Sequence, residues 1–251
     1  YVRGFDVKTG KRLWIFHTIP MKGEFGYETW TTPGQAETSG NMGAWAPMSA
    51  DPELGLIYVG VEMPQTDTLG VSRTGPNLFA ESLVALDIET GVRKWHYQMI
   101  HHGIWDRDVC SAGVICDIPH DGKIIKAIAQ PTKQGWVYVL DRATGQLLSA
   151  QAFTSVNWAT GIDLKTGRPV ETADAKISEE EAFVGRAGDV GDEIALQLVG
   201  GLQRRLHRLV RRRRRDDVPA RLGVVQIFRA ALECELEQVL LIGRDRLLDH
   251  D

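Results

Sequence analysis

Cysteine is scarce in this chain: three in 251 residues, Cys110, Cys116 and Cys234. Their spacing matches no zinc or cluster site, which excludes thiolate metal chemistry of the familiar kinds. Cys110 and Cys116 read as buried free thiols in preference to a small disulfide loop, and cysteine usage leaves the compartment open. No apolar run approaches the roughly 20 residues of a membrane span, and no basic-then-apolar export signal opens the chain. A dominant charge is also lacking. Lys and Arg number 29 against 33 Asp and Glu, for a formal net charge of −4, so the overall balance offers nucleic acid no footprint. The chain begins without Met, inside the strand-and-turn stretch Tyr1-Val2-Arg3-Gly4-Phe5-Asp6. It reads as a fragment whose N-terminus, with any export signal, lies upstream.

Tryptophan, tyrosine and lysine disappear along the chain as well. No Trp or Tyr follows Trp158, and no Lys follows Lys176. Beyond residue 177 positive charge comes from arginine alone, including the run Arg211 to Arg215. Apolar spacing in 194–199 and 231–242 suits helices. Acidic residues balance this tail and no aromatics interleave the arginine run, which disfavours a nucleic-acid arm. A fused helical domain and a shifted reading frame remain, and the abrupt change in composition favours the shifted frame.

What the chain does contain is a repeat. Asp6-Val7-Lys8-Thr9-Gly10-Lys11-Arg12-Leu13-Trp14 recurs as Asp87-Ile88-Glu89-Thr90-Gly91-Val92-Arg93-Lys94-Trp95. A third copy, Asp141 to Ser149, ends in Ser where the others have Trp, and a partial fourth runs from Asp163 to Arg168. Asp can accept hydrogen bonds from the turn backbone, and Gly supplies a positive φ. The Trp then falls on the returning strand, where a large flat side chain packs between sheets. Repeated strands with this turn signal predict an all-β chain of antiparallel four-stranded blades, part of a propeller. Residues 20–50 and 62–80 read as long loops, where function usually sits on such scaffolds.

The densest chemistry lies in His101-His102-Gly103-Ile104-Trp105-Asp106-Arg107-Asp108. Two histidines, a tryptophan and two carboxylates within eight residues rarely serve packing alone. Asp106 is the candidate catalytic carboxylate, and Lys133, in Thr132-Lys133-Gln134-Gly135, is its expected partner. A carboxylate beside a cation stays ionised and can act as a general base. His101 and His102 are expected to orient loops or satisfy backbone groups, and Trp105 to pack the Asp106 loop.

These motifs together resemble the pyrroloquinoline-quinone (PQQ)-dependent dehydrogenases, the quinoprotein alcohol and membrane-type glucose enzymes. The resemblance rests on the Trp-bearing turn repeats, Gly43-Ala44-Trp45-Ala46-Pro47-Met48-Ser49, His101-His102-x-x-Trp105-Asp106-x-Asp108, Thr132-Lys133-Gln134-Gly135-Trp136, and Asn157-Trp158-Ala159-Thr160-Gly161. It covers residues 1 to about 177 and fails beyond. It implies about half of an eight-bladed β-propeller over 1–177, followed by an unrelated tail over 178–251, helical or disordered.

It further implies oxidation of an alcohol or sugar hydroxyl by hydride transfer to the quinone. Asp106 would be the catalytic base and a metal ligand, Lys133 the cation on the quinone oxygens, and Trp45 the plate beneath the ring. The implied cofactors are PQQ and a divalent metal, Ca2+ or Mg2+. A small hydroxylated substrate and an electron acceptor, quinone or cytochrome c, are the implied partners, with no nucleic acid. Membrane association would come only through missing segments, and the implied location is the periplasm or the periplasmic face of the inner membrane. Two departures stand out: Gly103 occupies the place of an acidic residue, and Met63 the place of a metal-ligating Asn. A thioether is a poor ligand for a hard cation. As an isolated fragment the chain is expected to be inactive, and the competing reading is a non-catalytic propeller used as a binding scaffold.

Overall fold

A computed structural model describes residues 1–65, 70–120 and 122–175, all within one compact unit, Tyr1–Lys176. The tail expected over 178–251, with its helical stretches, its arginine run and Cys234, lies outside the described residues.

Twelve strands are described: β1 (Val2–Phe5), β2 (Arg12–Phe16), β3 (Ser49–Asp51), β4 (Leu56–Gly60), β5 (Ser82–Asp87), β6 (Arg93–Gln98), β7 (Val114–His120), β8 (Lys123–Pro131), β9 (Trp136–Asp141), β10 (Leu147–Ala152), β11 (Ala159–Ile162) and β12 (Pro169–Glu171). They form two four-stranded antiparallel sheets, β3-β4-β5-β6 and β7-β8-β9-β10, flanked by the hairpins β1-β2 and β11-β12. This is the blade architecture that the repeat predicts. Loop 20–50 carries only a 3-10 turn at Tyr27–Thr29 and the one-turn helix α1 (Gln35–Thr38) before β3.

Every repeat copy closes a hairpin in the same way. The Oδ1 of Asp6 accepts the backbone N–H groups of Lys8 and Thr9 and the Thr9 hydroxyl. Asp87 does the same for Glu89 and Thr90, and Asp141 accepts from Ala143 and Thr144. These bonds to the ionised form pull the Asp87 carboxyl down to about 2, with the Thr90 hydroxyl and then Lys94 contributing most. The turn glycine has a second duty. At Gly91 an added Cβ would meet the Trp14 ring at 2.5 Å, and at Gly145 it would meet the Trp95 ring at 2.7 Å. Each Trp therefore lies flat on the next repeat's turn, its indole N–H bonded to a carbonyl there: Trp14 to Ile88 O at 3.0 Å and Trp95 to Arg142 O at 3.1 Å. In the third copy Ser149 replaces Trp. Tyr97 covers the fourth turn instead, donating its hydroxyl to Gly167 O at 2.7 Å.

Strand β5 is buried on both faces. Its period-2 alternation sends Leu83 and Ala85 into one core with Tyr58, Trp95, Ile128 and Tyr138. Val84 and Leu86 enter a second core with Val2, Met42 and Val59. A blade sandwiched between neighbours thus reads as a continuous apolar run. Across the first of these cores runs an ionic staple. Buried Arg142, just after β9, binds Asp51 of β3 at 2.7 Å, Asp117 of β7 at 2.8 Å and the Cys116 carbonyl at 2.9 Å. Cys116 is buried and in no disulfide, as expected. Cys110 is likewise in no disulfide but only half-buried, because it lies in the loop before β7 rather than on a strand.

Candidate active site

Three loops and one hairpin meet near the 101–108 stretch. The β8–β9 turn carries Lys133, and it is shaped locally by Thr132, whose N–H and hydroxyl both donate to Trp136 O. Lys133 Nζ lies 2.9 Å from Asp106 Oδ2 and 3.6 Å from Asp108 Oδ2. Its backbone N–H donates to Asp108 O at 3.4 Å. Both expected partners are thus brought together across 27 residues. Lys133 is mostly buried and Asp106 is 35% exposed, so the Asp106 side chain is the member of the pair that solvent reaches.

Asp108 is the buried member of the trio. Its Oδ1 accepts the Met63 N–H at 2.9 Å. Burial, followed by the charges of Asp106 and Glu62, raises its carboxyl, while the Met63 N–H and Lys133 oppose. The bond to Met63 ties the 62–65 loop to the site, and that loop is tied in turn to 40–45. Glu62 N–H donates to Gly43 O at 3.1 Å, Gly43 N–H donates to the Glu62 carboxylate, and Gln65 N–H reaches Gly40 O. Trp45 stands on this second loop with 53% of its surface exposed, an open aromatic face. Met63 is fully buried. Its thioether belongs to the interior and not to a ligand set.

The histidines divide. His102 Nδ1 lies 3.0 Å from Gly75 O, holding the 70–80 loop as expected. His101 Nδ1 is buried with no partner, as is the Trp105 indole N–H. Burial pulls the His101 imidazole down to about 4, so it is neutral. Arg107 stacks over Trp158 at 4.4 Å and more loosely over Trp105 at 5.8 Å. Its backbone carbonyl accepts from Gln134 Nε2 at 3.3 Å, joining the Asp106 loop to the Lys133 turn a second time.

The backbone around these contacts is unusual. Among the described residues, the non-glycine positions with positive φ are Asn41, Met42, Asn77, Glu81, His102 and Asp106. All sit in the three loops that converge here. Such conformations cost about 1–3 kcal/mol each and persist only where surrounding contacts over-determine them; they cluster at functional sites. Sequence reading missed Glu81, Arg73 and the buried role of Asp108. Only Asp108, two residues after Asp106, carried a local signal. An apolar groove of about 480 Å³ lies elsewhere, against β1 and β2, lined by residues such as Phe5, Trp14 and Ile57. It brings together no acid–base pair.

Residues 1–157 match the PQQ family defined by the glucose/ethanol/alcohol dehydrogenase β-propeller domain. The chain belongs to this family. It is 39% identical over 199 residues to the quinohemoprotein alcohol dehydrogenase ADH-IIG of Pseudomonas putida, a match covering 75% of this chain and 27% of that protein. It is 34% identical over 207 residues to the dehydrogenase subunit of the quinone alcohol dehydrogenase of Gluconacetobacter polyoxogenes, covering 76% and 28%. The solved quinohemoprotein alcohol dehydrogenase of Comamonas testosteroni superposes with a TM-score of 0.62 at 34% identity, over 69% of this chain and 28% of that one. The chain therefore spans under a third of the length of these relatives.

The donor set suits one implied group better than the other. Lys133 offers ammonium N–H donors and Trp45 an open aromatic face, which fits a flat anionic quinone. A divalent metal is served less well. The described residues contain no cluster of three His, Cys, Asp or Glu that could hold one, Asp106 is engaged by Lys133, and Met63 is buried. Asp106 is the single ligand position carried over from the resemblance.

Proposed function

We propose that this chain supplies the base-and-cation segment of a PQQ-dependent alcohol dehydrogenase, oxidising a small primary or secondary alcohol. The contact between Lys133 Nζ and Asp106 Oδ2 carries the reading. Lys133 sits against the Asp106 carboxylate, which is placed to take the hydroxyl proton as general base. When bound, the quinone is the acceptor of the hydride that leaves the carbinol carbon, yielding a carbonyl product. Lys133 would hold quinone oxygens and stabilise negative charge there, and Trp45 would support the ring. Buried Asp108 keeps the Lys133 ammonium directed at this spot. Asp106 would also border a divalent metal. The acceptor of the electrons is a quinone or a cytochrome c, and the setting is the periplasmic side of the inner membrane. The relatives named above are alcohol dehydrogenases, which favours an alcohol over a sugar. As an isolated chain it is inactive, since it spans so little of those enzymes.

The test is an exchange. Residues 1–157 replace the matching segment of the P. putida enzyme, and quinone-dependent alcohol oxidation is followed with an artificial electron acceptor. An active chimera beside an inactive isolated chain supports the reading. A folded, quinone-loaded chimera without turnover contradicts it.

A further inference from the structure

Glu81 is completely buried, and neither carboxylate oxygen has a hydrogen-bond partner. The Arg107 backbone N–H lies on its side but does not meet hydrogen-bond geometry. Its backbone is left-handed, with φ of 46°, and its own carbonyl accepts the Met99 N–H at 3.0 Å. A residue so placed, at the head of β5 and charged in its usual state, is costly unless something requires it.

What it touches supplies the requirement. A Cβ built on Gly103 would lie 1.7 Å from Glu81 Oε2 and 2.5 Å from its Cδ. The Glu81 carboxyl thus occupies the side-chain space of residue 103. The same glycine's carbonyl accepts Nη2 of Arg73 at 2.7 Å, and Arg73 is itself fully buried and bonded through Nη1 to Asn77. Gly103 is therefore gripped on both sides, and the backbone turns left-handed at His102 and Asp106, φ 60° and 52°. The carboxylate that meets Lys133 follows this clamp three positions later, at Asp106.

We propose that Glu81 is a positioning residue for the Asp106–Lys133 pair: its carboxyl takes the place of a side chain at 103 and, with Arg73, fixes the backbone from which Asp106 reaches Lys133. The inference rests on the reading of that pair as the reacting site. The electrostatics agree with the packing. Burial pushes the Glu81 carboxyl up to about 8 against the pull of Arg107 and Arg73, with Asp108 adding to the rise. At neutral pH the group is an uncharged acid that can pack against Gly103 without a buried charge.

Competitive acetylation of the full 251-residue chain tests this, with each lysine's labelling rate read by mass spectrometry. The reagent needs no quinone, so the outcome is independent of whether the chimera oxidises alcohols. Lys94 and Lys126, paired with Asp87 and Glu53 on distant turns, are internal controls. Glu81→Ala and Gly103→Ala should each raise Lys133 labelling several-fold with the controls unchanged. Glu81→Gln, which keeps the volume, should leave Lys133 near the wild-type rate. Gly103→Ala should add nothing further in the Glu81→Ala background, where the clash is gone. An unchanged Lys133 in both alanine variants overturns the proposal, as does a rise shared equally by Lys94 and Lys126. Should neither alanine variant fold, Glu81→Asp withdraws the carboxyl by one methylene. A selective rise at Lys133 then supports the proposal, and its absence overturns it.

Discussion

Lys133 reaches Asp106 from the far side of the site, its Nζ 2.9 Å from Oδ2, and reaches Asp108 at 3.6 Å from the same position. One cation thus serves two carboxylates of different burial, one half-open and one enclosed. Replacing Lys133 with Met leaves Asp106 and Asp108 facing each other without it. Loss of one partner in a part-buried ionic contact costs about 1–3 kcal/mol, softened here by the solvent that reaches Asp106. Urea unfolding should show a lower midpoint with an unchanged slope. Asp108→Asn in the same background should recover part of the loss.

The turn glycines separate backbone strain from packing. Gly10 and Gly145 share a positive φ, 70° and 77°, but only Gly145 has an indole against its Cα. Gly10→Ala should cost about 1 kcal/mol from conformation alone. Gly145→Ala, with the Trp95 ring 2.7 Å from the new Cβ, should cost about 2–4 kcal/mol. Paired denaturation curves decide it, and equal effects would argue against the ring-on-turn contact.

Arg142 joins two blades through Asp51, Asp117 and a carbonyl. The Arg142–Asp51 pair is buried on both sides. Arg142→Leu strands the Asp51 carboxylate and should cost about 3–5 kcal/mol. Arg142→Leu with Asp51→Leu should recover much of this, because a buried pair replaced whole by apolar groups is often neutral. A double-mutant cycle on unfolding free energy measures the recovery.

The pH dependence of stability has a worked sign. Glu81 has its ordinary value near 4.5 when unfolded and about 8 when folded. Between these values the folded chain binds a proton that the unfolded chain has released. Its contribution is therefore full below about 4.5 and is lost as pH rises through 8, by at most about 1.4 kcal/mol per pH unit. Asp108, also raised, acts in the same direction. Glu81→Gln should flatten the stability profile across this window and leave the Asp108 part. A wild-type profile no steeper than that of Glu81→Gln contradicts a buried neutral acid.

The parts of this molecule that could be read in advance are those with local causes. An Asp that caps its own turn, a Gly at positive φ and a Trp on the returning strand lie within nine residues, so the blades announced themselves. The pairing of Asp106 with Lys133 was expected from the chemistry of a carboxylate beside a cation and from family likeness, since no local pattern in either stretch points across 27 positions. Glu81 was hidden for the opposite reason. Its partner Gly103 carries no side chain to signal the contact, and the left-handed backbone at residues 81, 102 and 106 is imposed by loop convergence, not by residue type. Arg142 joins residues 91 positions apart and left no pattern at all.

The central claim is that Asp106 takes the substrate proton. It is tested most directly by Asp106→Asn in the chimera that carries residues 1–157 within the P. putida enzyme. Bound quinone, counted by its absorbance after release, should be unchanged or modestly lower. Alcohol oxidation at saturating substrate should fall by about 10²–10⁴-fold, the usual contribution of a general base. Turnover that survives with quinone fully loaded would show that the proton leaves by another route and that Asp106 serves only to hold Lys133.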